Sequence, residues 1–324
     1  MLVSPLAHTS FRGNYVNIHA NAFLENIRAF GTEILDLEPN IEGQVNKIVK
    51  EKNIVSTDLF KPGDIAPTDG SVVLLVLLSA EVIQVEWTNQ FTGPVTRGEF
   101  TNIQGNEVDA YYVNDEDGRR DVGYATITDF HTGHTTNIAQ IVEIPCKHDG
   151  RSMLLLLPTA VGLESLDMAM EGLDQHIRDN SGLRLTSQSV DIIFPRFKGT
   201  VGPISIIPNL KKCGLEAIFN DAQTPVDATL NVPGMDPAVV GKVMHFASFA
   251  ADENGAEAKA VTVASVTVYR SLSPPPPPPI KFHCGRPFVA ILGKKLHSSN
   301  GVSTWNFEFG MKITGSDSLD TSKR

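Results

Sequence analysis

The sequence contains few cysteines, no long apolar run and no recognisable leader. Its three cysteines, Cys146, Cys213 and Cys284, are widely spaced and odd in number. This excludes a disulfide framework or a cysteine metal site and predicts reduced or isolated thiols. No stretch approaches the roughly 18 apolar residues that cross a bilayer, so we expect no membrane partner. Residues 1–5 lack the basic start and apolar centre of a signal peptide.

Basic residues are scarce relative to acidic ones. The chain has 27 Lys and Arg against 37 Asp and Glu, a formal net charge of −10, which argues against nucleic acid as a partner. Hydrophobic residues make up 41% and charged residues 20%, as is typical of a globular protein. A run of prolines is the only stretch that resembles a linker. We therefore predict a single domain over residues 1–324, with a flexible polar tail at residues 314–324.

Enzyme motifs are absent as well. The chain has no Walker loop, no Gly-x-Ser-x-Gly elbow and no dinucleotide-binding glycine pattern. Cys146 lies near His148 and Cys284 follows His283, but both cysteines lie in apolar strand contexts that favour buried, inert thiols. Residues 129–134 hold two histidines and an aspartate at a spacing that favours a loop over a metal site. We predict that the protein is not an enzyme and binds no cofactor or metal.

The spacing of apolar residues predicts a β-rich α+β fold. Apolar stretches of strand length recur without a βαβ rhythm, which indicates more than one sheet. Spacings of three and four residues predict helices at residues 41–49, 163–177 and 210–219. Residues 105–124 are typical of a β-hairpin with its turn at residues 115–118.

Residues 253–273 combine a strand pattern with the features of an exposed loop. Every second residue from Ala256 is small or apolar, whereas Glu257 and Lys259 belong to the other face. The alternating set is Ala256, Ala258, Ala260, Thr262, Ala264, Val266 and Val268. Six prolines follow at positions 274–279, and such a run prefers an extended, solvated helix that cannot join a sheet. A strand sequence on a stiff loop indicates a segment that can change from loop to strand.

Six motifs, in the expected order, resemble those of the serpin family, and the likeness runs over nearly the whole chain. They are Val45-Asn46-Lys47-Ile48-Val49; the spacing of Trp87, Phe91, Thr96 and Phe100; residues 144–147 with 152–158; Phe194-Pro195-Arg196-Phe197-Lys198; His245-Phe246-Ala247 with Glu253-Asn254-Gly255-Ala256-Glu257-Ala258; and residues 282–288. Residues 282–288 are similar to the family's Phe-x-Ala-Asp-Arg-Pro-Phe signature. The segment after His245 is similar to its loop hinge.

The resemblance implies a serpin fold with three β-sheets, several helices and an exposed reactive-centre loop at about residues 253–279. The family's N-terminal helices are largely missing, because only residues 3–7 resemble the start of its shutter helix. The implied hinge residues are Glu253, Gly255, Ala256, Ala258, Ala260 and Thr262. The implied shutter residues are Ser4, Ser79 and His245.

The resemblance also implies that the protein inhibits serine endopeptidases by suicide cleavage. The protease would cut the loop, the loop would insert into sheet A, and the protease would be trapped covalently. The family spacing from Glu253 ends on Tyr269, so the reactive bond is Tyr269–Arg270, which suits a chymotrypsin-like protease. A loop longer by one residue gives Arg270–Ser271, which suits a trypsin-like protease. Both alternatives remain open.

A second function class stays open beside inhibition. The shortened N-terminal region and Ser79, which stands where the family has Asn, favour a non-inhibitory serpin-like protein with a binding or structural role. By resemblance the protein is secreted to the extracellular space, and a cytoplasmic location is the alternative. We expect a monomer, with loop–sheet polymerisation as the hazard of an exposed strand-like loop.

Overall fold

The structure, a computed structural model, describes most of the chain from residue 86 onward and short parts before it. The described residues are 2–3, 35–36, 38–51, 58–65, 75–76, 78–83, 86–129, 136–147, 150–219, 243–255, 277–299 and 302–321. Two compact units make up the chain. The first comprises Met1–Val82 and Thr200–Ser248, and the second comprises Ile83–Gly199 and Phe249–Arg324.

Strands dominate the described residues. They are β1 (Leu2–Val3), β2 (Leu35–Asp36), β3 (Leu75–Val76), β4 (Leu78–Ile83), β5 (Thr96–Thr101), β6 (Glu107–Val113), β7 (Arg120–Asp129), β8 (Thr136–Pro145), β9 (Arg151–Pro158), β10 (Leu183–Arg184), β11 (Thr186–Pro195), β12 (Phe197–Ser205), β13 (Met244–Ala251), β14 (Ile280–His283), β15 (Phe288–Ser299) and β16 (Val302–Ile313). The helices are α1 (Ile41–Glu51), α2 (Leu163–Asp179), α3 (Ile207–Lys212) and a 3-10 helix (Glu216–Phe219).

These strands form three sheets. One has the order β2-β1-β3, and another has the order β12-β13-β4. The third has ten strands, in the order β10-β16-β15-β9-β8-β7-β11-β6-β5, with β14 paired to β11. The prediction of an α+β fold with three sheets is therefore confirmed.

The hairpin prediction for residues 105–124 is only half right. The turn is present, because the Gly118 amide donates to the Asp115 carbonyl at 3.1 Å with Gly118 in the left-handed region. However, β6 and β7 do not pair with each other, because β11 lies between them. Strand β11 pairs with β7 through its first half and with β6 through its last two residues. A local turn signal does not specify which strand becomes the neighbour.

Helix α1 fixes the loop that follows it through two buried polar side chains. Asn46 accepts from the Phe60 amide at 3.0 Å and donates to the Phe60 carbonyl at 2.8 Å. Glu42 accepts from the Gly63 and Ile65 amides at 3.1 and 3.0 Å. Both side chains are buried, so these bonds offset the cost of their burial. The predicted helix is confirmed over Ile41–Glu51.

Helix α2 covers strands β7, β8 and β9 of the ten-stranded sheet. Its buried residues Leu166, Ala169 and Leu173 pack in one cluster with Ile127 and Ile141. The apolar spacing predicted this helix correctly over Leu163–Asp179. No helix among the described residues is long and apolar enough to cross a membrane.

Phenylalanine dominates the core of the second unit. Phe197 stacks on Phe249 with ring centroids 5.9 Å apart and meets Phe288 edge-on at 5.7 Å. Phe194 packs edge-on against Phe91 at 5.2 Å. Each such contact contributes about 1 kcal/mol beyond the area that the rings bury. The aromatic residues are thus concentrated around the end of β13, where the loop segment begins.

The end of the described chain is packed, which corrects the prediction of a flexible tail from residue 314. Ser318, Leu319 and Asp320 are all buried, and Leu319 belongs to the phenylalanine-rich core. Leu319 forms an antiparallel bridge with Phe197. The polar composition of the segment suggested exposure, but one leucine and one paired carboxylate are enough to dock it. Residues 322–324 lie outside the described residues.

Two buried cysteines make the stability sensitive to alkaline pH. Burial raises the pKa of the Cys146 thiol to about 12, and burial also raises the pKa of Cys284. An unfolded thiol ionises near pH 9, so above about pH 9 the unfolded chain releases protons that the folded chain keeps. The contribution of these thiols to the free energy of unfolding is complete below about pH 9 and is lost as the pH rises toward 12.

We expect the free energy of unfolding to fall above pH 9 by about 1.4 kcal/mol per pH unit for each buried thiol. Urea unfolding between about pH 8 and 10.5 measures this slope. Cys146→Ala should reduce the slope, whereas Cys213→Ala, which removes an exposed thiol, should keep it. A slope in Cys146→Ala as steep as in the unsubstituted protein would contradict the expectation.

Candidate functional site

Most of the predicted loop residues cannot be placed. The predictions for Ser4, Ala256, Ala258, Ala260, Thr262, Tyr269, Arg270 and Ser271 lie outside the described residues. Four predicted residues are described: Ser79, His245, Glu253 and Gly255. The structure therefore bears on the start of the hinge and on part of the shutter.

Two of the predicted shutter residues lie on neighbouring strands. Ser79 is in β4 and His245 is in β13, and these strands are adjacent in their three-stranded sheet. His245 is half-buried. These two predicted residues therefore belong to the same sheet. Their role as a shutter stays a prediction.

The hinge begins as a tight turn at the end of β13. The Asp252 carboxylate accepts from the amides of Asn254 and Gly255, at 2.8 and 3.2 Å. The Asp252 amide donates to the Gly255 carbonyl at 2.9 Å, which closes the turn. Gly255 has φ of 126°, a conformation that residues with a Cβ rarely adopt. The sequence Asp252-Glu253-Asn254-Gly255 thus ends β13 through its own side-chain chemistry.

The turn is tied to the segment that precedes β5. The Trp87 indole donates to the Asp252 carbonyl at 2.8 Å, and the Trp87 amide donates to the Asn254 carbonyl at 3.3 Å. The Phe91 amide donates to the Glu253 carbonyl at 3.1 Å. Three successive carbonyls of the turn are therefore satisfied by two aromatic residues. All these partners would have to change if the turn opened into a longer strand.

The side chain of Glu253 is held by Arg196. The guanidinium donates from Nε to Oε2 at 2.8 Å and from Nη2 to Oε1 at 2.5 Å. Arg196 is buried, at 6% exposure, so its charge depends on this carboxylate. Two parallel charge-assisted bonds are among the strongest polar contacts in proteins. The pair joins the start of the hinge to the residue between β11 and β12.

A second buried ion pair supports the segment that carries Phe91. Arg120 binds Asp115 through two bonds of 2.7 Å, and both side chains are 9% exposed. The same guanidinium donates to the Asn89 and Gln90 carbonyls at 2.6 and 2.9 Å. It also lies 3.9 Å from the centroid of the Phe91 ring. The segment that carries the Phe91 amide donor is therefore held in place by the contacts of Arg120.

Neither of the two described cysteines with a histidine nearby in sequence is an activated nucleophile. Cys146 and Cys284, the cysteines with a histidine nearby in sequence, are buried, and burial raises the pKa of each thiol. A thiol kept neutral is neither a nucleophile nor a metal ligand. The prediction of buried, inert thiols is confirmed. What remains at the site is a set of reversible hydrogen bonds and two ion pairs, Arg196–Glu253 and Arg120–Asp115, which can hold or release a segment.

Sequence reasoning missed the residues that hold the hinge. Trp87, Phe91 and Arg196 occur in the family-like motifs, but the sequence did not single them out as site residues. Arg196 did carry a signal, because it stands between Pro195 and Phe197 in an apolar stretch. An arginine that is buried in such a place needs a carboxylate partner. The partner, 57 positions away in sequence, could not be read from the sequence pattern.

Comparison with known proteins gives a consistent result. A family model described as serpin (serine protease inhibitor) matches residues 11–299. Serpin B3 from Homo sapiens is 27% identical over 252 residues, which is 77% of this chain and 56% of the relative. Serpin-Z2B from Triticum aestivum is 29% identical over 266 residues, 78% of this chain and 60% of the relative. The chain thus spans 56% to 60% of the length of these two curated relatives.

Solved structures show the same fold at lower sequence identity. Human thyroxine-binding globulin matches with a TM-score of 0.61 at 15% identity, over 91% of this chain and 70% of that one. Serpin48 from the insect Tenebrio molitor matches with a TM-score of 0.57 at 18% identity, over 88% of this chain and 67% of that one. At these identities the likeness establishes the fold alone.

Proposed function

This chain belongs to the serpin family of serine protease inhibitors, and we propose that it inhibits a serine protease by cleavage and insertion of its own loop. Many of the family's members inhibit proteases rather than catalyse a reaction of their own. Its usual targets are serine proteases. The mechanism, the reactive bond and the class of protease are our proposals for this chain.

In the proposed mechanism the protease first attacks the loop. Its serine oxygen bonds to the carbonyl carbon of Tyr269 or Arg270, the peptide C–N bond breaks, and the next residue leaves as a protonated amine. The loop stays attached to the protease as an ester. Because β13 leads through the turn at residues 252–255 into the loop, the freed segment would insert as an antiparallel strand between β13 and its neighbour β4. This movement drags the protease away and distorts the site that would hydrolyse the ester.

One observation carries this proposal: β13 ends at a turn that is closed only by noncovalent contacts. Directly after Gly255 the small alternating residues begin, starting at Ala256. Small side chains at Ala256, Ala258 and Ala260 can enter a packed sheet with little steric cost. The contacts of the turn keep the loop outside before cleavage, and strand pairing compensates for their loss after it.

The experiment is to incubate the full chain with chymotrypsin and, separately, with trypsin. We expect a complex that survives SDS, with a mass equal to the protease plus the chain less the released fragment. N-terminal sequencing of that fragment gives the reactive bond. Cleavage without a stable complex by either enzyme would contradict the proposed inhibition of these two protease classes.

The two candidate bonds can be separated by matched substitutions. If Tyr269–Arg270 is the reactive bond, Tyr269→Ala should abolish the complex with chymotrypsin, because the aromatic side chain no longer fills the protease pocket. If Arg270–Ser271 is the reactive bond, Arg270→Ala should abolish the complex with trypsin. A complex that both variants form normally would rule out both bonds.

A second function has one observation in its favour. Glu81 places a carboxylate in β4, the neighbour of β13 in the three-stranded sheet. A charged residue in the strand next to β13 would oppose insertion of a further strand unless its charge found a partner. The alternative is thus a non-inhibitory serpin-like protein with a binding or structural role. Under this alternative, cleavage of the loop leaves the melting temperature unchanged.

The place of action is also a proposal. We propose that the protein acts outside the cell as a monomer, with action in the cytoplasm as the alternative. Fractionating cells that express the full transcript, followed by size-exclusion chromatography of the product, tests both statements. Retention of the protein in the cell lysate would contradict extracellular action.

A further inference from the structure

Residues 315–320, here called the latch, pack against the residues that hold the hinge. Phe197 and Leu319 form an antiparallel bridge, and the Lys198 amide donates to the Ser318 carbonyl at 3.0 Å. On the other side of the bridge, the Asp320 amide donates to the Arg196 carbonyl at 3.0 Å. The latch therefore acts as a short extra strand along residues 196–198.

Internal hydrogen bonds and a buried leucine hold the latch in a defined conformation. The Ser318 hydroxyl accepts from the Thr314 amide at 3.0 Å and donates to the Gly315 carbonyl at 2.9 Å. The Leu319 side chain, at 3% exposure, lies in the phenylalanine-rich core. The Ile103 amide donates to the Thr314 carbonyl at 2.8 Å, which fixes the entry to the latch.

One ion pair ties the latch to the strand that it covers. The Lys198 ammonium donates to the Asp320 carboxylate at 3.0 Å. The carboxylate is largely buried, at 12% exposure, and the lysine is more open, at 57%. The stability of a buried carboxylate depends on its partners more than that of an exposed one does. Substitutions in this pair should therefore shift or loosen the latch.

Arg196 connects the latch to the hinge. Its carbonyl accepts from Asp320, its amide donates to the Tyr111 carbonyl at 2.6 Å, and its guanidinium binds Glu253. The backbone of Arg196 is thus bonded to both Asp320 and Tyr111, while its side chain binds Glu253 of the hinge. A bidentate pair tolerates little displacement, because both bonds must stay aligned.

We propose that Asp320 and Lys198 are positioning residues for the hinge: by fixing the backbone of Arg196, they set how firmly Glu253 is held and so how readily the hinge opens. The consequence for loop insertion rests on the proposed function. The positioning itself is a property of the uncleaved protein and does not require a protease. Substitutions that weaken the latch should therefore make the hinge open more readily, although no hinge residue has been substituted.

Hydrogen exchange on the uncleaved full chain tests this proposal. The amides of Trp87 and Phe91 donate to hinge carbonyls, so their exchange reports the opening of the hinge directly. We expect Asp320→Asn and, independently, Lys198→Met to speed exchange in the peptide covering residues 86–92 by about threefold to fivefold. Glu308→Gln is the matched control, because it breaks a similar partly buried pair with Arg151 in β9 and β16.

A double-mutant cycle identifies the route of the effect. In the Glu253→Gln background the charge that Arg196 holds is gone, so Asp320→Asn should add little to the exchange rate. The proposal is overturned if neither latch variant speeds exchange, if Glu308→Gln speeds it equally, or if the effect of Asp320→Asn is the same in the Glu253→Gln background.

The outcome is separable from that of the proposed function. Faster exchange in the latch variants, together with no SDS-stable complex in the unsubstituted protein, would uphold the positioning role and reject inhibition. A normal complex with unchanged exchange in the latch variants would uphold inhibition and reject the positioning role.

Discussion

Replacing Thr262 with arginine should convert the protein from an inhibitor into a substrate. In the proposed mechanism Thr262 belongs to the small-residue face that would enter the sheet, and an arginine there would bury an unpaired charge at a cost of roughly several kcal/mol. Insertion would slow, and the protease would hydrolyse the ester before it is trapped. The measurement is the fraction of protease held in the SDS-stable complex, which we expect to fall at least about tenfold.

The matched control changes the other face of the same segment. Glu257 belongs to the alternate set of residues, which stays at the surface after insertion, so Glu257→Arg should form the complex at nearly the normal yield. Equal loss of complex in Thr262→Arg and Glu257→Arg would contradict insertion with this alternation. Normal complex formation by Thr262→Arg would contradict insertion of the loop to that depth.

Removing the carboxylate of Glu253 should destabilise the uncleaved protein by about 2 kcal/mol. Glu253→Ala leaves the buried Arg196 guanidinium without its bidentate partner, and removing one member of a buried pair costs more than the pair contributes. The Glu253 side chain is 24% exposed, so water offsets part of this loss. Urea unfolding followed by tryptophan fluorescence measures the change.

An exposed ion pair of the same type provides the control. Arg97 and Asp109 also form two bonds, but their side chains are 66% and 61% exposed. Asp109→Ala should therefore lower the free energy of unfolding much less than Glu253→Ala does, because water screens an exposed pair. If Glu253→Ala and Asp109→Ala had equal effects, the Arg196–Glu253 pair would not be the anchor that its burial suggests.

The sequence predicted those parts of the fold that depend on near neighbours. Helices α1 and α2 follow from short-range apolar spacing, since the residues that set the pattern also pack together. The predicted pairing of β6 with β7 was wrong because their true neighbour is a strand that is distant in sequence. Their neighbour β11 begins more than fifty residues after β7 ends, and periodicity does not specify which distant strand pairs with which.

The same distinction between local patterns and long-range contacts applies to the residues of the site. Glu253 and Gly255 could be located because the segment after His245 resembles the family's loop hinge. Arg196, Trp87 and the latch depend on contacts between segments that are far apart in sequence. Even the packing of Leu319 was masked by its polar neighbours, because one buried leucine does not alter the average character of a segment.

The melting temperature before and after cleavage of the loop tests the central claim most directly. A protease that cuts between Val268 and Pro274 without being trapped prepares a cleaved form that keeps the whole small-residue segment attached to β13, and scanning calorimetry compares it with the intact chain. Insertion would add a hydrogen-bonded strand and bury four alanines at roughly 0.8 kcal/mol each and two valines at about 1.5 kcal/mol each, so we expect a rise of about 10 °C. An unchanged or lower melting temperature would contradict loop insertion.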